Sequence, residues 1–237
     1  MNKSASQEEN VMNLPETFVW TRYGTEAGSS FADILRRKDL ERAANGGVFL
    51  WGIGNNVSSS LGTLLADGAR PRVLFSPIKS APRVEDVEPG RIAVWATAVA
   101  PDGQAYQLPR HSVVTSRYYA GKQKHYALIC SSKGTLTVRP DGPVVAKSAL
   151  ANAKSGNPLG SSQVTAIVKR VADSASEAEG YRVTFACELV YPYVVTLRDP
   201  QVVEPNEEGI SNAVQRANQI RKANSYDEQL SFGFGAI

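Results

Sequence analysis

The 237-residue chain is poor in metal-binding and redox side chains: it has two cysteines (Cys130, Cys187), two histidines (His111, His125) and two methionines. No spacing among them matches a zinc site, so neither a metal nor a cofactor is expected. Each cysteine lies in an apolar, strand-like run (HYALIC, VTFACELV), where alternation predicts a buried thiol acting as a small hydrophobe. A single disulfide is the alternative, and a reduced, cytoplasmic setting is the favoured expectation. No apolar run approaches the roughly 20 residues that span a bilayer, so no membrane partner is expected. Residues 1–10 are polar and lack the apolar core of a secretory signal. A G-x-S-x-G nucleophile elbow is missing, and so is any internal repeat. What is present is ordinary for a globular chain, 42% hydrophobic and 21% charged residues, which excludes wholesale disorder. At roughly 150 residues per domain, the length fits one large domain or two small ones.

Charge is unevenly placed. The net charge is only +3, but residues 61–170 carry 15 Lys/Arg against 6 Asp/Glu, and the remainder is net acidic. A basic middle suits a surface that meets polyanions, unless the charges are dispersed over separate strands.

Residues 1–14 read as a loose tail, 15–205 as one α+β domain and 206–237 as a C-terminal helix and tail. Thr17–Tyr23 alternates with aromatic and β-branched residues and reads as a strand. Ser30 with Asp33 forms a near capping box, and Asn45-Gly46-Gly47 is a stop signal, which predicts a helix over 31–44. Further strands are expected at 48–53, 72–76, 91–100, 105–108, 125–131 and 163–172, with a short helix from about Ser59. The region 181–198 is expected as two strands broken at Pro192, joined to the preceding strand by a hairpin loop over 173–180. Residues 146–160 read as a loop with a possible helical turn, Ile210–Lys222 as a helix, and 225–237 as a tail. The order is not a regular β-α alternation. It predicts a mostly antiparallel curved sheet or partly closed β-barrel with flanking helices.

Several residue groups are candidates for chemistry. Phe49-Leu-Trp-Gly-Ile-Gly-Asn-Asn56 resembles half of a dinucleotide fingerprint, but Val57 replaces the third small residue and no acidic residue closes the next strand. That argues against a nicotinamide or flavin and leaves an anion contact at Asn55, Asn56 and Ser58, or a plain helix cap. Trp20, Trp51 and Trp95 all lie in strands, where their rings can line a base-stacking pocket or pack the core. Arg22, next to last in the first strand, is a further candidate contact. Arg110, His111, Ser112, Ser116 and Arg117 crowd one region, suited to phosphate contact and, for His111, to general base catalysis. Lys79 on a Pro-bounded loop, and Ser162 with Gln163 before a strand, can also touch a ligand.

The aromatic opening strand FVWTRY, the strand FLWGIG and the later strand RIAVWATA together resemble the PUA-like superfamily, nearest its EVE and YTH branches, over about residues 17–198. Residues 101–162 stand as an insertion in that comparison. The resemblance implies a small curved β-barrel flanked by helices, RNA or DNA as partner, and a modified base held among aromatics, with Trp20, Trp51 and Trp95 as the residues to test. The leading expectation is thus a nucleic-acid-binding module reading a modified or flipped base. The alternatives are an enzyme on a nucleotide or nucleic-acid base, using His111 or a carboxylate such as Glu26 or Asp33, and a structural protein docking through its C-terminal helix.

Overall fold

The structure is a computed structural model that describes residues 15–24, 30–66, 68, 70–78, 92–109, 112, 114–117, 125–160, 163–171, 180–204 and 206–233. Strand β1 is Thr17–Tyr23, and helix α1 is Phe31–Ala44. The capping box forms: Ser30 Oγ accepts the Asp33 N–H at 3.2 Å and its hydroxyl donates to the Asp33 carboxylate at 2.6 Å. At the other end Gly47, with φ 99°, donates its N–H to Arg42 O. A Cβ there would lie 3.0 Å from Ser132 O, so the stop needs glycine.

Strand β2 (Val48–Ile53) leads through a 3₁₀ turn, Ser58–Ser60, into the short α2 (Leu61–Leu65). Strands β3 (Arg72–Pro77), β4 (Ile92–Val99), β5 (Ala105–Tyr106), β6 (Thr115–Arg117) and β7 (His125–Ser131) follow. Then come β8 (Val144–Ala146), a 3₁₀ turn at Lys147–Ala149, β9 (Leu150–Asn152), β10 (Thr165–Arg170), β11 (Gly180–Arg182), β12 (Phe185–Val203) and α3 (Glu207–Gly233).

Ten strands form one sheet, in the order β2-β7-β12-β3-β1-β10-β9, with β4 branching from β12 and carrying β5 and β6. The fold is α+β and mostly antiparallel. Among the described residues only β1 and β3 run parallel. Among the described residues the sheet does not close into a barrel, because its end strands β2 and β9 do not pair with each other. Residues 101–162 are not appended to this sheet; they supply β7, which is paired on both sides.

Four expectations need correction. Pro192 does not divide two strands: β12 runs through it as a bulge, with the Tyr191–Pro192 bond cis, Tyr193 at φ 71° and a register shift between Leu189 and Val194. Residues 188–189 and 194–197 of β12 pair with β7, and the strand takes β3 before the bulge and β4 after it. The proline sits where the ladder is already interrupted, so no bond is lost to it. Secondly, β10 is no hairpin partner of the following strands, since β1 and β9 flank it and β11 pairs with β8. Thirdly, the expected loop at 146–160 contains β9 as well as its helical turn. Lastly, α3 continues to Gly233, because no glycine or proline interrupts 210–232.

Both faces of β1 are covered, which explains why every residue from Thr17 to Thr21 is buried whatever its direction in the alternation. Val19 and Tyr23 join one cluster with Phe49, Trp51, Phe75, Phe185 and both cysteines. Phe18 and Trp20 face another, closed by the β8–β11 ribbon through Val145 and Tyr181 and by Val183 just after it. A third cluster lies around Trp95, Leu50, Ile129 and Leu197. Cys130 and Cys187 are free and buried, as their alternation predicts. Burial is the main cause that pushes the Cys187 thiol up, reinforced by its hydrogen bond with Cys130.

Helix α3 packs on β4 and β12 with Ala213 and Ala217 fully buried. No described helix is long and apolar enough to cross a membrane.

Candidate functional site

The three tryptophans do not share a pocket. Trp20, Trp51 and Trp95 are 1%, 7% and 2% exposed and belong to three different core clusters. The reason is topological: β1, β2 and β4 are nowhere neighbours in the sheet. Trp51 packs edge-on to Phe75 at 4.8 Å and to Phe185 at 5.9 Å. Trp95 stacks on the buried His125 at 5.7 Å with planes 9° apart.

Trp20 is the exception in its surroundings. Its indole N–H donates to Ser76 Oγ at 3.1 Å, and its ring lies 4.3 Å from that of Tyr181. Two cations stand at the same tyrosine: Arg22 Cζ is 6.0 Å and Lys147 Nζ 5.8 Å from its ring centre. Both are partly exposed, whereas Ser76 is fully buried. The parallel pairing sets this up, since Arg22 lies opposite Ser76 and Trp20 opposite Leu74. Alternation then places Trp20, Arg22 and Ser76 on one face, at the carboxyl ends of β1 and β3. Lys147 arrives from the 3₁₀ turn after β8, and Tyr181 from β11. The cluster thus combines a cation pair, a buried hydroxyl and an aromatic wall, the chemistry that holds an anionic group beside a planar one.

Of the residues singled out by sequence, the structure brings Trp20 and Arg22 together here. Lys147, Tyr181 and Ser76 were missed. Lys147 was visible only within the basic surplus of 61–170, and nothing local in GYR or LFS marks the other two. Asn55 and Asn56 are exposed, and the Asn56 carboxamide accepts the Ser58 N–H at 2.9 Å in an Asx turn, while neither the 3₁₀ turn nor α2 takes a side-chain cap. Gly52 is there for packing: a Cβ would come within 2.7 Å of Val114 Cγ1. Gln163 is partly buried, and its N–H closes a turn onto Gly160 O. Ser116 and Arg117 pair through β6 with Ala93 and Ile92. Lys79, Arg110, His111 and Ser162 lie outside the described residues, as does Glu26. Asp33 is committed to its cap, and the Ser30 hydroxyl holds its carboxyl below the usual range, the reverse of what a general acid needs. Among the described residues no group of three His, Cys, Asp or Glu side chains is placed to hold a metal ion.

A second polar cluster is structural. The Arg221 guanidinium of α3 donates to Trp95 O, Ala96 O and Ser112 O. Burial lowers its proton affinity, which the charge of Glu41 partly restores. The neighbouring Ser112 hydroxyl is buried with no hydrogen-bond partner among the described residues. A buried unpaired hydroxyl costs more than a methyl, so Ser112→Ala is expected to leave stability unchanged or raise it by about 1 kcal/mol. Urea unfolding checks this, and a loss above about 1 kcal/mol would show that the hydroxyl is bonded after all.

No protein-family model matches the chain, and no curated protein or solved structure matches it either.

Proposed function

We propose that the chain is a nucleic-acid-binding module, built on a curved sheet of PUA-like character, that engages its ligand at Arg22, Lys147 and Tyr181. The observation that carries this reading is the placement of both cations about 6 Å from one aromatic ring, at the carboxyl ends of the parallel strand pair. The net positive charge of residues 61–170 supports it, because polyanion attraction is long-ranged and additive. The shared three-tryptophan pocket plays no part. Trp20 and Tyr181 are 1% and 8% exposed, so neither takes a stacked base, and the reading rests on the two partly exposed cations beside them.

Fluorescence anisotropy with short single- and double-stranded DNA and RNA, at two salt concentrations, tests the proposal. The wild-type chain is expected to bind. Arg22→Ala combined with Lys147→Ala should weaken binding and reduce the salt slope by roughly two, about one per lost phosphate contact. Unchanged affinity in the double variant would remove the site. No binding at low salt would remove the function.

A further inference from the structure

The two cysteines, far apart in the chain, are neighbours in the sheet. Cys130 lies on β7 opposite Leu189 of β12, and Cys187 stands two residues before Leu189. Side chains two apart on a strand share a face, so Cys187 is the diagonal neighbour of Cys130. Both belong to the core cluster around Phe49, Trp51 and Phe75, and the Cys187 thiol is hydrogen-bonded to Cys130. Both thiols are free. Diagonal neighbours in an antiparallel pair stand about 7–8 Å apart, whereas the Cα atoms of a disulfide take about 4.4–6.8 Å. The sulfurs are thus near enough to react, but the bond has to draw the strands together by about 1 Å. Strand β12 has slack for that, since its pairing with β7 stops after Leu189 and resumes at Val194. A disulfide closed under strain is readily reduced again. Such a bond suits a switch rather than a permanent staple, and transient disulfides are the kind that a reducing compartment allows.

We infer that Cys130 and Cys187 form a reversible dithiol–disulfide pair, through which a small peroxide ties β7 covalently to β12. Cys130 Sγ attacks hydrogen peroxide and the O–O bond breaks. Cys130 becomes a sulfenic acid, and its proton leaves with the departing oxygen as water. Cys187 Sγ then attacks Cys130 Sγ. The S–O bond breaks, the S–S bond forms, and the Cys187 proton leaves with the hydroxyl as a second water. Two thiols are thereby oxidised by two electrons, and one peroxide is reduced to two waters. Burial, and then the hydrogen bond to Cys130, hold the Cys187 thiol above its ordinary value, so Cys187 keeps its proton and acts second. Exposure limits the oxidant to a small one, because Cys130 is fully buried and Cys187 is 6% exposed. The same burial makes the first attack slow.

The test treats the native full chain with hydrogen peroxide, stops the reaction with catalase, and counts thiols after unfolding in guanidinium. Both thiols are expected to disappear together, with a mass loss of two hydrogens and one linked pair of peptides carrying Cys130 and Cys187. Dithiothreitol should restore both thiols and the original mass. A bulky aromatic disulfide reagent should leave both thiols of the native chain unmodified over the same time, because it cannot enter the core. Cys187→Ala, verified as folded by circular dichroism, should stop at the sulfenic acid of Cys130, which dimedone then labels. The wild-type chain should take no such label, and its linkage decides the matter even if the variant does not fold. Survival of both thiols under peroxide would overturn the inference, as would a gain of oxygen without linkage, or linkage between two chains only. A bond that forms in unfolding urea but not in the native chain would overturn it too, since the folded sheet would then be keeping the sulfurs apart.

Discussion

Replacing Arg221 with alanine is expected to cost roughly 2–4 kcal/mol of stability, because it strips hydrogen bonds from several partly buried carbonyls at once. The guanidinium donates to Trp95 O at 3.0 Å, to Ala96 O and Ser112 O at 3.2 Å, and to Asn218 Oδ1 at 3.1 Å. The Trp95 and Ala96 carbonyls fall in a gap in the ladder of β4 among the described residues. On one edge of β4, β6 pairs only Ile92–Val94 and β5 only Ala98 and Val99. On the other edge Ala96 has no β12 partner, opposite Asp199 at φ 54°. Arg221 thus does for this gap what a neighbouring strand does elsewhere. It also extends the stripe of Ala213 and Ala217 by one turn, so its loss should loosen α3 from the sheet. Arg221→Lys should recover less than half of the loss, since one ammonium cannot span three carbonyls as a planar fork does. Urea midpoints of the three proteins measure this, and limited proteolysis within α3 reports the loosening. An alanine variant within about 0.5 kcal/mol of wild type would show that water serves these carbonyls equally well.

What could be read from the chain alone divides along a physical line. Helix α1 was legible from end to end because both of its signals, the Ser30–Asp33 box and Asn45-Gly46-Gly47, are local. The strands β1, β2 and β7 were legible for the same reason: their alternation or apolar runs sit between clear turns. Partner choice is not local. The alternation that identified FVWTRY and RIAVWATA as strands says nothing about which strands lie beside them, and so three tryptophans in similar phase could be imagined in one pocket while belonging to three. The site at Tyr181 was hidden for that reason. Its parts come from β1, β3, β11 and a 3₁₀ turn, up to 159 positions apart between Arg22 and Tyr181. Pro192 misled differently, because a bulge admits a proline that a regular ladder would exclude.

The largest effect of all is expected at Glu41, where removal should cost roughly 3–5 kcal/mol. Its carboxylate is 1% exposed and accepts from Lys38 Nζ, 6% exposed, at 2.8 Å. The other oxygen accepts the Leu50 N–H at 2.9 Å. Among the described residues β2 pairs only with β7, and Glu41 closes this N–H at the sheet edge. The pattern was present in the chain, since Ile34, Lys38 and Glu41 follow one another at helical spacing on the inward face of α1. The arginines and lysine at 36–38 instead look like one exposed basic run. Glu41→Ala leaves an ammonium buried without its counter-charge and an amide without an acceptor, and both costs are incurred together. Glu41→Gln keeps an acceptor for Leu50 and should lose less. The decisive variant is the double change Lys38→Met with Glu41→Leu. It removes both charges and fills the space with apolar volume, so it should be more stable than Glu41→Ala by about 1–3 kcal/mol. Loss of the carboxylate should also be felt at a distance: burial and then the Glu41 charge hold the Tyr106 phenol above its ordinary value, so its titration should move down in Glu41→Gln. If the double variant is as unstable as Glu41→Ala, the pair contributes more than charge neutrality, and its geometry is what joins α1 to the edge of β2.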